Sequence, residues 1–323
     1  MKHNCCAAHA LKRAAWGIMR DAICAMAAVL AMAAPSLHAQ PVLFHDHGHG
    51  LSFSSNGKAL LAPSHEGLAA YEDGAWWEAL GPIQGFSGFS VAERAIYSSG
   101  HSRPGVAAAG SAGLIRSTDG GRTWHPLALA GEADFRLLAA GYRSDAIYVV
   151  SARPNSAMPA PGLYVTHDEG KSWRRAAARK LEGEIHGLAA HPRQAGTVAV
   201  ATGRGLYLSR DAGERFLLLD GRELATAVAF DFDGERLRYA RGLSNEVVEA
   251  ALDGRGRKAL RLPRLKRDYV TCLAQNPKDE RVLAFATRRR DVYLTSDGGV
   301  SWRLIAEGAE SRGSTATEGA QDR

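Results

Sequence analysis

Short apolar runs alternate with polar, glycine-bearing turns along the chain from about residue 48 onward. Six of these runs open similar units: His49-Gly-Leu-Ser-Phe53, Ser87-Gly-Phe-Ser-Val91, Phe135-Arg-Leu-Leu-Ala139, His186-Gly-Leu-Ala-Ala190, Thr226-Ala-Val-Ala-Phe230 and Thr271-Cys-Leu-Ala-Gln275. A second run follows in each, at Ala59–Ala62, Ala95–Ser98, Ala146–Val150, Thr197–Ala201, Arg236–Ala240 and Arg281–Ala286. A third is clearest at Gly162–Thr166, Gly205–Ser209 and Asp291–Thr295, and a fourth at Trp302–Ile305. Runs this short, closed by turns, read as strands, and helical spacing of apolar residues is absent from this part of the chain. The units fall at roughly 48–82, 83–130, 131–179, 180–221, 222–263 and 264–306, each of about 40 residues, the size of one propeller blade. The expected fold is all-β, a six-bladed β-propeller of four-stranded antiparallel blades.

One polar signature keeps time with the strands. It reads Ser117-Thr-Asp-Gly-Gly-Arg-Thr-Trp124, Thr166-His-Asp-Glu-Gly-Lys-Ser-Trp173, Ser209-Arg-Asp-Ala-Gly-Glu-Arg-Phe216 and Thr295-Ser-Asp-Gly-Gly-Val-Ser-Trp302, with a decayed copy at Tyr71-Glu-Asp-Gly-Ala-Trp76. Unit five keeps only Ala251-Leu-Asp-Gly-Arg255 and has lost the aromatic. An Asp and a hydroxyl two residues apart can accept the amides of their own turn, and the Gly supplies positive φ. The aromatic then starts the outer strand with a large apolar area to bury between blades. Asp119, Asp168, Asp211 and Asp297 are therefore expected to be structural rather than catalytic.

The ends of the chain differ from its middle. Lys2, Lys12, Arg13 and Arg20 precede an apolar stretch, Ile23–Ala34, that is too short to span a bilayer, and Ala39 offers a small residue at a cleavage position. Residues 1–39 are expected to be a secretory signal peptide, 40–306 the propeller, and 307–323 a disordered tail rich in small and charged residues. Cleavage would remove four bases and one acid, so the formal charge of +6 would fall to about +3. The basic clusters Arg261–Arg267 and Arg288–Arg290 read as solvated surface, and no nucleic-acid partner is expected. Of four cysteines, Cys5, Cys6 and Cys24 would leave with the signal, and Cys272 alone cannot form an intrachain disulfide. A periplasmic or secreted location follows from the signal, with no stable membrane span after its removal.

The repeated signature resembles the Asp-box, or bacterial neuraminidase repeat, of sialidases, sortilin-like receptors and photosystem-assembly propellers. The runs His47-Gly-His-Gly-Leu51, Ser64-His-Glu-Gly-Leu68, Gly88-Phe-Ser90, Ser99-Gly-His101, Gly113–Trp124 and Gly131-Glu-Ala-Asp-Phe135 are similar to a family of exported bacterial Asp-box propellers that carries a glycosylhydrolase label. That resemblance implies a propeller and, through the label, hydrolysis of a glycoside. The early Arg-Ile-Pro motif of sialidases is absent, and Arg153, Arg204 and Arg288 sit at positions unlike those of a sialidase arginine triad.

The meander itself assigns faces. Third-to-fourth turns, which carry the Asp-boxes, share one face with first-to-second turns; second-to-third loops and blade links share the other. On that other face fall His45, Asp46, His47 and His49, His186 with Glu184, Glu132 and Asp134, then His65, Glu66 and His101, and Arg153, Arg204 and Arg288. Imidazoles with carboxylates suit a divalent transition metal such as Zn or Cu, for which His47, His49, His65, His101 and His186 are the candidate ligands. Glu66, Arg153, Arg204 and Arg288 are the candidates for a small polar or sugar ligand. The histidines could equally hydrogen-bond inner-strand backbone around a watery channel. A hydrolase would need two facing carboxylates, with Glu132 and Asp134 as candidates. The expectation is a binding protein for a metal or small polar ligand at a histidine-rich mouth, or an envelope scaffolding factor. The alternatives are a glycoside hydrolase and an interaction platform for an envelope protein.

Overall fold

The computed structural model describes residues 50–63, 67–80, 83–102, 110–308 and 310–311. The chain divides into Met1–Ala39 and Gln40–Arg323, and every described residue lies in the second unit. The signal-peptide expectation, His45, Asp46, His47, His49, His65, Glu66 and residues 312–323 fall outside the described residues.

Six antiparallel sheets follow one another along the chain. Blade one comprises β1 (Ser52–Phe53), β2 (Leu60–Pro63), β3 (Gly67–Glu72) and β4 (Ala75–Leu80). Blade two comprises β5 (Ile83–Val91), β6 (Ile96–Ser102), β7 (Leu114–Ser117) and β8 (His125–Ala128). Blade three has β9 (Leu138–Ala140), β10 (Ile147–Ser151), β11 (Gly162–Thr166) and β12 (Arg174–Arg175). Blade four has β13 (Ile185–Ala190), β14 (Val198–Thr202), β15 (Gly205–Ser209) and β16 (Leu217–Asp220). Blade five has β17 (Ala225–Phe230), β18 (Arg236–Arg241), β19 (Glu246–Ala251) and β20 (Lys258–Leu260). Blade six has β21 (Val270–Gln275), β22 (Leu283–Thr287), β23 (Val292–Thr295), β24 (Arg303–Glu307) and a short added β25 (Glu310–Ser311). No helix occurs among the described residues. The six-bladed, four-stranded, all-β expectation holds.

Burial explains the composition of each strand. Second strands such as β10, β14 and β22 are apolar on both faces, because each is sandwiched between neighbouring blades. Outer strands β8, β12 and β20 are exposed and carry the polar residues. Six apolar clusters result, one at each blade interface. Ring closure needs no shared strand among the described residues, since blades one and six are each built from consecutive strands. It rests on a common cluster including Leu51, Phe53 and Trp76 with Ala284, Val292 and Ile305. Two hydrogen bonds add to it: Trp76 Nε1 donates to the Ile305 carbonyl (2.9 Å) and Asn276 Nδ2 to the Gly57 carbonyl (2.8 Å).

The Asp-boxes do the structural work their sequence predicts. Ser117 Oγ donates to Asp119 Oδ1 (2.8 Å) and accepts the Gly121 amide (2.8 Å). Asp119 then accepts the Thr123 amide (2.9 Å) and hydroxyl (2.6 Å). The same clasp recurs at Thr166–Asp168–Ser172 and Thr295–Asp297–Ser301, and at Ser209–Asp211 without the second hydroxyl. Gly121 (φ +92°) shows why a side chain is excluded: a Cβ there would lie 2.5 Å from Leu68 Cδ2 of the preceding blade.

Expected strand starts move in blades two and three: the inner strand of blade two begins at Ile83, ahead of Ser87. Phe135 was placed in the inner strand of blade three, but that strand begins at Leu138. Residues 130–137 instead form a link, in which Phe135 is buried against Trp173 and its amide donates to Ser99 Oγ of blade two.

Candidate functional site

In blades three to six the inner strand is entered from a link that is stitched to the second-to-third loop of its own blade. Glu132 accepts the Ser156 amide (2.8 Å) in blade three, and the Glu184 carbonyl accepts the Gly203 amide (3.0 Å) in blade four. Glu223 accepts the Leu243 (2.7 Å) and Ser244 (2.9 Å) amides in blade five. Asp268 accepts the Arg289 amide (3.2 Å) in blade six. Links and second-to-third loops therefore share the face opposite the Asp-boxes. His101, Arg153, Arg204 and Arg288 are all exposed there, in blades two, three, four and six.

The inner strands enclose an axial cavity of about 190 Å³. At its Asp-box end an aromatic pair crosses between blades. Tyr142, just after β9, donates its hydroxyl to the Ser55 carbonyl of blade one (3.2 Å) and packs edge-on against Phe232 of blade five, with ring centroids 4.5 Å apart. Around this pair the first-to-second turns bond to one another. Glu93 N donates to Tyr142 O, Arg143 N to Pro192 O, and Phe232 N to Gln275 Oε1. His191 Nε2 donates to the Gly234 carbonyl while its Nδ1 accepts the Arg193 and Gln194 amides. Burial lowers the His191 pKa and keeps this imidazole neutral.

The cavity opens on the other face, where Arg136 and His186 line it. Ser52, Ser90 and Thr271 add hydroxyls to the wall, and Leu137, Leu188 and Leu273 add apolar surface. No carboxylate lines it among the described residues. His186 Nδ1 lies 3.1 Å from the Ala225 carbonyl. A carbonyl only accepts, so Nδ1 carries the proton and Nε2 of the neutral ring is left as acceptor or metal ligand.

The two candidate catalytic carboxylates lie on the link into blade three. Glu132 is exposed, and hydrogen bonding from Ser156 holds its carboxyl below the usual range. A glycosidic general acid needs the opposite displacement. Asp134 is half-buried, and its Oδ1 is enclosed without a hydrogen-bond partner among the described residues. Among the described residues no group of three or more His, Cys, Asp or Glu side chains comes together as a metal site. Of the five candidate metal ligands only His101 and His186 are described, on blades two and four. Sequence reasoning passed over Arg136, whose alternation in a presumed strand gave no hint of the mouth. It also passed over the Tyr142–Phe232 pair, which joins residues 90 positions apart.

Residues 115–126 match the BNR/Asp-box repeat model. No curated protein matches the chain in sequence. Among solved structures, the fold is similar to a GH74 enzyme from Niastella koreensis (14% identity, TM-score 0.54, covering 82% of this chain and 46% of that one). It is also similar to the GH74 xyloglucanase from Xanthomonas campestris (18% identity, TM-score 0.50, 83% and 46%). A chain of a nidogen/laminin complex aligns with 13% identity and a TM-score of 0.56, over 76% of this chain and 91% of that one. The chain spans about half the length of the GH74 structures it matches. At these identities the likeness is one of fold. Fold and repeat together define the class, a BNR/Asp-box β-propeller.

Proposed function

We propose that this propeller is an exported binding protein that takes a small anionic ligand, such as a carboxylate, at the channel mouth opposite the Asp-boxes. The observation that carries this reading is the composition of the axial cavity. Arg136 and His186 stand at its open end, and its described wall holds no carboxylate. The Arg136 guanidinium at the mouth of a partly apolar socket attracts an anion, and the apolar wall gives its body a place to sit. Glycoside hydrolysis is supported less, because Glu132 is engaged with a backbone amide and held ionised. The test is a thermal-shift and calorimetric screen with small mono- and dicarboxylates, hydroxy acids and inorganic phosphate. A binder found on the wild type should be lost in both Arg136→Ala and His186→Ala. Equal binding by all three proteins sinks the reading.

The free Nε2 of His186 favours a second reading, a divalent metal at the same mouth with His47, His49, His65 and His101 as the further candidates. Elemental analysis of wild type, His49→Ala and His186→Ala separates the two. Stoichiometric Zn or Cu in the wild type, absent from both variants, supports the metal; no metal in any sample removes it.

A further inference from the structure

Two basic stretches that are 20 residues apart in sequence meet on one corner of the open face. The link into blade six carries Arg264, Lys266 and Arg267, and the β22–β23 loop carries Arg288, Arg289 and Arg290; all six are exposed. The two stretches are fastened by backbone. Arg288 N donates to the Tyr269 carbonyl (2.9 Å), Asp268 accepts the Arg289 amide, and Arg289 Nη1 reaches the Lys266 carbonyl (3.5 Å). Asp268 is buried and turned to backbone N–H groups, so it neutralises none of the six side chains by contact.

Elsewhere in blades five and six, five arginines are paired with carboxylates, while others such as Arg257 donate to backbone. Arg236, Arg238, Arg241, Arg255 and Arg281 each face a carboxylate at 3.7 Å or less. None of the six patch cations has such a partner among the described residues. Two of them, Arg267 (φ +51°) and Arg290 (φ +70°), even occupy left-handed backbone that Gly or Asn would hold at lower cost. Like charges gathered, unpaired and set in strained positions oppose folding; an anionic partner would offset that.

We infer that this patch docks an acidic segment of a partner protein. Guanidinium groups dominate it, and they suit bidentate contact with carboxylates. Leu262 and Leu265 turn inward onto the blade-five/blade-six core, so the link offers no apolar stripe to enter a bilayer. No exposed aromatic side chain stands among the patch residues to stack a base. The site is separate from the channel mouth, although Arg267 lies only four residues before Thr271 of the channel wall.

Fluorescence anisotropy with a labelled Glu-rich dodecapeptide tests this. The peptide should bind the wild type at about 50 mM salt and weaken steeply by about 200 mM. The variant Arg264→Glu/Arg267→Glu/Arg288→Glu should bind it at least about tenfold more weakly, with its melting temperature used to confirm folding. The neutral variant Arg264→Gln/Arg267→Gln/Arg288→Gln should fall between the two. His186→Ala should bind as wild type does, which keeps this test independent of the channel reading. Undiminished binding by the charge-reversed variant overturns the inference. So does absence of peptide binding, or patch-dependent capture of phosphatidylglycerol vesicles without it.

Discussion

Blade five and the blades with a complete Asp-box solve one problem by different chemistry. In blade six the clasp sets Trp302 against the preceding blade, and its Nε1 donates to the Arg261 carbonyl (2.8 Å). In blade one Trp76 makes the same reach, to Ile305. Blade five has no aromatic at that place. Counting from the packed glycine, Gly254, the third residue on is Arg257, and its guanidinium donates to the Leu219 carbonyl of blade four (2.6 Å). The apolar area missing from that interface is accompanied by a buried polar network: Asp220 accepts from Tyr239 (2.5 Å) and pairs with Arg241 (2.6 Å), which also pairs with Glu246. Burial alone would raise the Asp220 carboxyl, but hydrogen bonds from Tyr239 and Arg241 outweigh it and hold it low. A propeller thus fixes where a side chain must reach and leaves open whether an indole or a guanidinium does so.

The comparison breaks most visibly at Asp220. Asp220→Ala removes the buried partner of Tyr239 and Arg241, leaves Arg241 only the more exposed Glu246, and should cost about 3 kcal/mol, read by chemical denaturation. Trp302→Ala should cost less, roughly 2–3 kcal/mol, because that ring is only half-buried. If Trp302→Ala proves the more damaging of the two, the polar network is not what holds blades four and five together. The glycines give a finer test. Gly213→Ala would set a Cβ 2.7 Å from Ala176 Cβ at φ +86°, and should cost roughly 2–3 kcal/mol. Gly254→Ala meets first the movable end of Arg257 at 3.2 Å and should cost only the backbone term, about 1 kcal/mol. Equal melting temperatures for the two variants would show that blade five packs its turn as tightly as the others.

The smallest effect is in acid. Hydrogen bonds from Ser172 first, then Thr166, hold the Asp168 carboxyl at about 2. Its folded pKa lies below the unfolded value of about 3.9, so its contribution is present above pH ~4 and is lost as pH falls toward 2. Asp119 and Asp297 are lowered in the same way. Asp168→Asn should therefore flatten the stability-versus-pH curve below about pH 4 and leave its neutral limb nearly parallel to wild type. An unchanged acid limb would mean that the clasp does not discriminate the ionised form.

Much of the architecture was readable because its determinants are local. Gly162–Thr166 and Gly205–Ser209 are strands over the residues predicted, since alternation, a bounding glycine and an Asp-box all lie within a few positions. The face on which links and second-to-third loops meet was also readable, because an antiparallel meander leaves no choice. Phe135 misled because a buried aromatic looks the same in a strand and in a link that packs on the next blade. His186 lines the channel on the face where the meander puts it, and Arg136, which lines it too, carried no signal in the sequence. Arg261–Arg267 and Arg288–Arg290 were read as two separate solvated clusters, and only the Asp268 staple makes one patch of them.

By itself the sequence determined the blade count, the strand period and the structural role of the Asp-boxes. Each depends on hydrogen bonds and packing within a few residues of one turn. Tertiary structure alone decided what lines the channel, that Arg257 replaces an indole, and which cations stand together with no carboxylate partner among the described residues. Those facts arise where distant segments meet around a closed ring, and no local pattern encodes the meeting of Tyr142 with Phe232 or of Lys266 with Arg289.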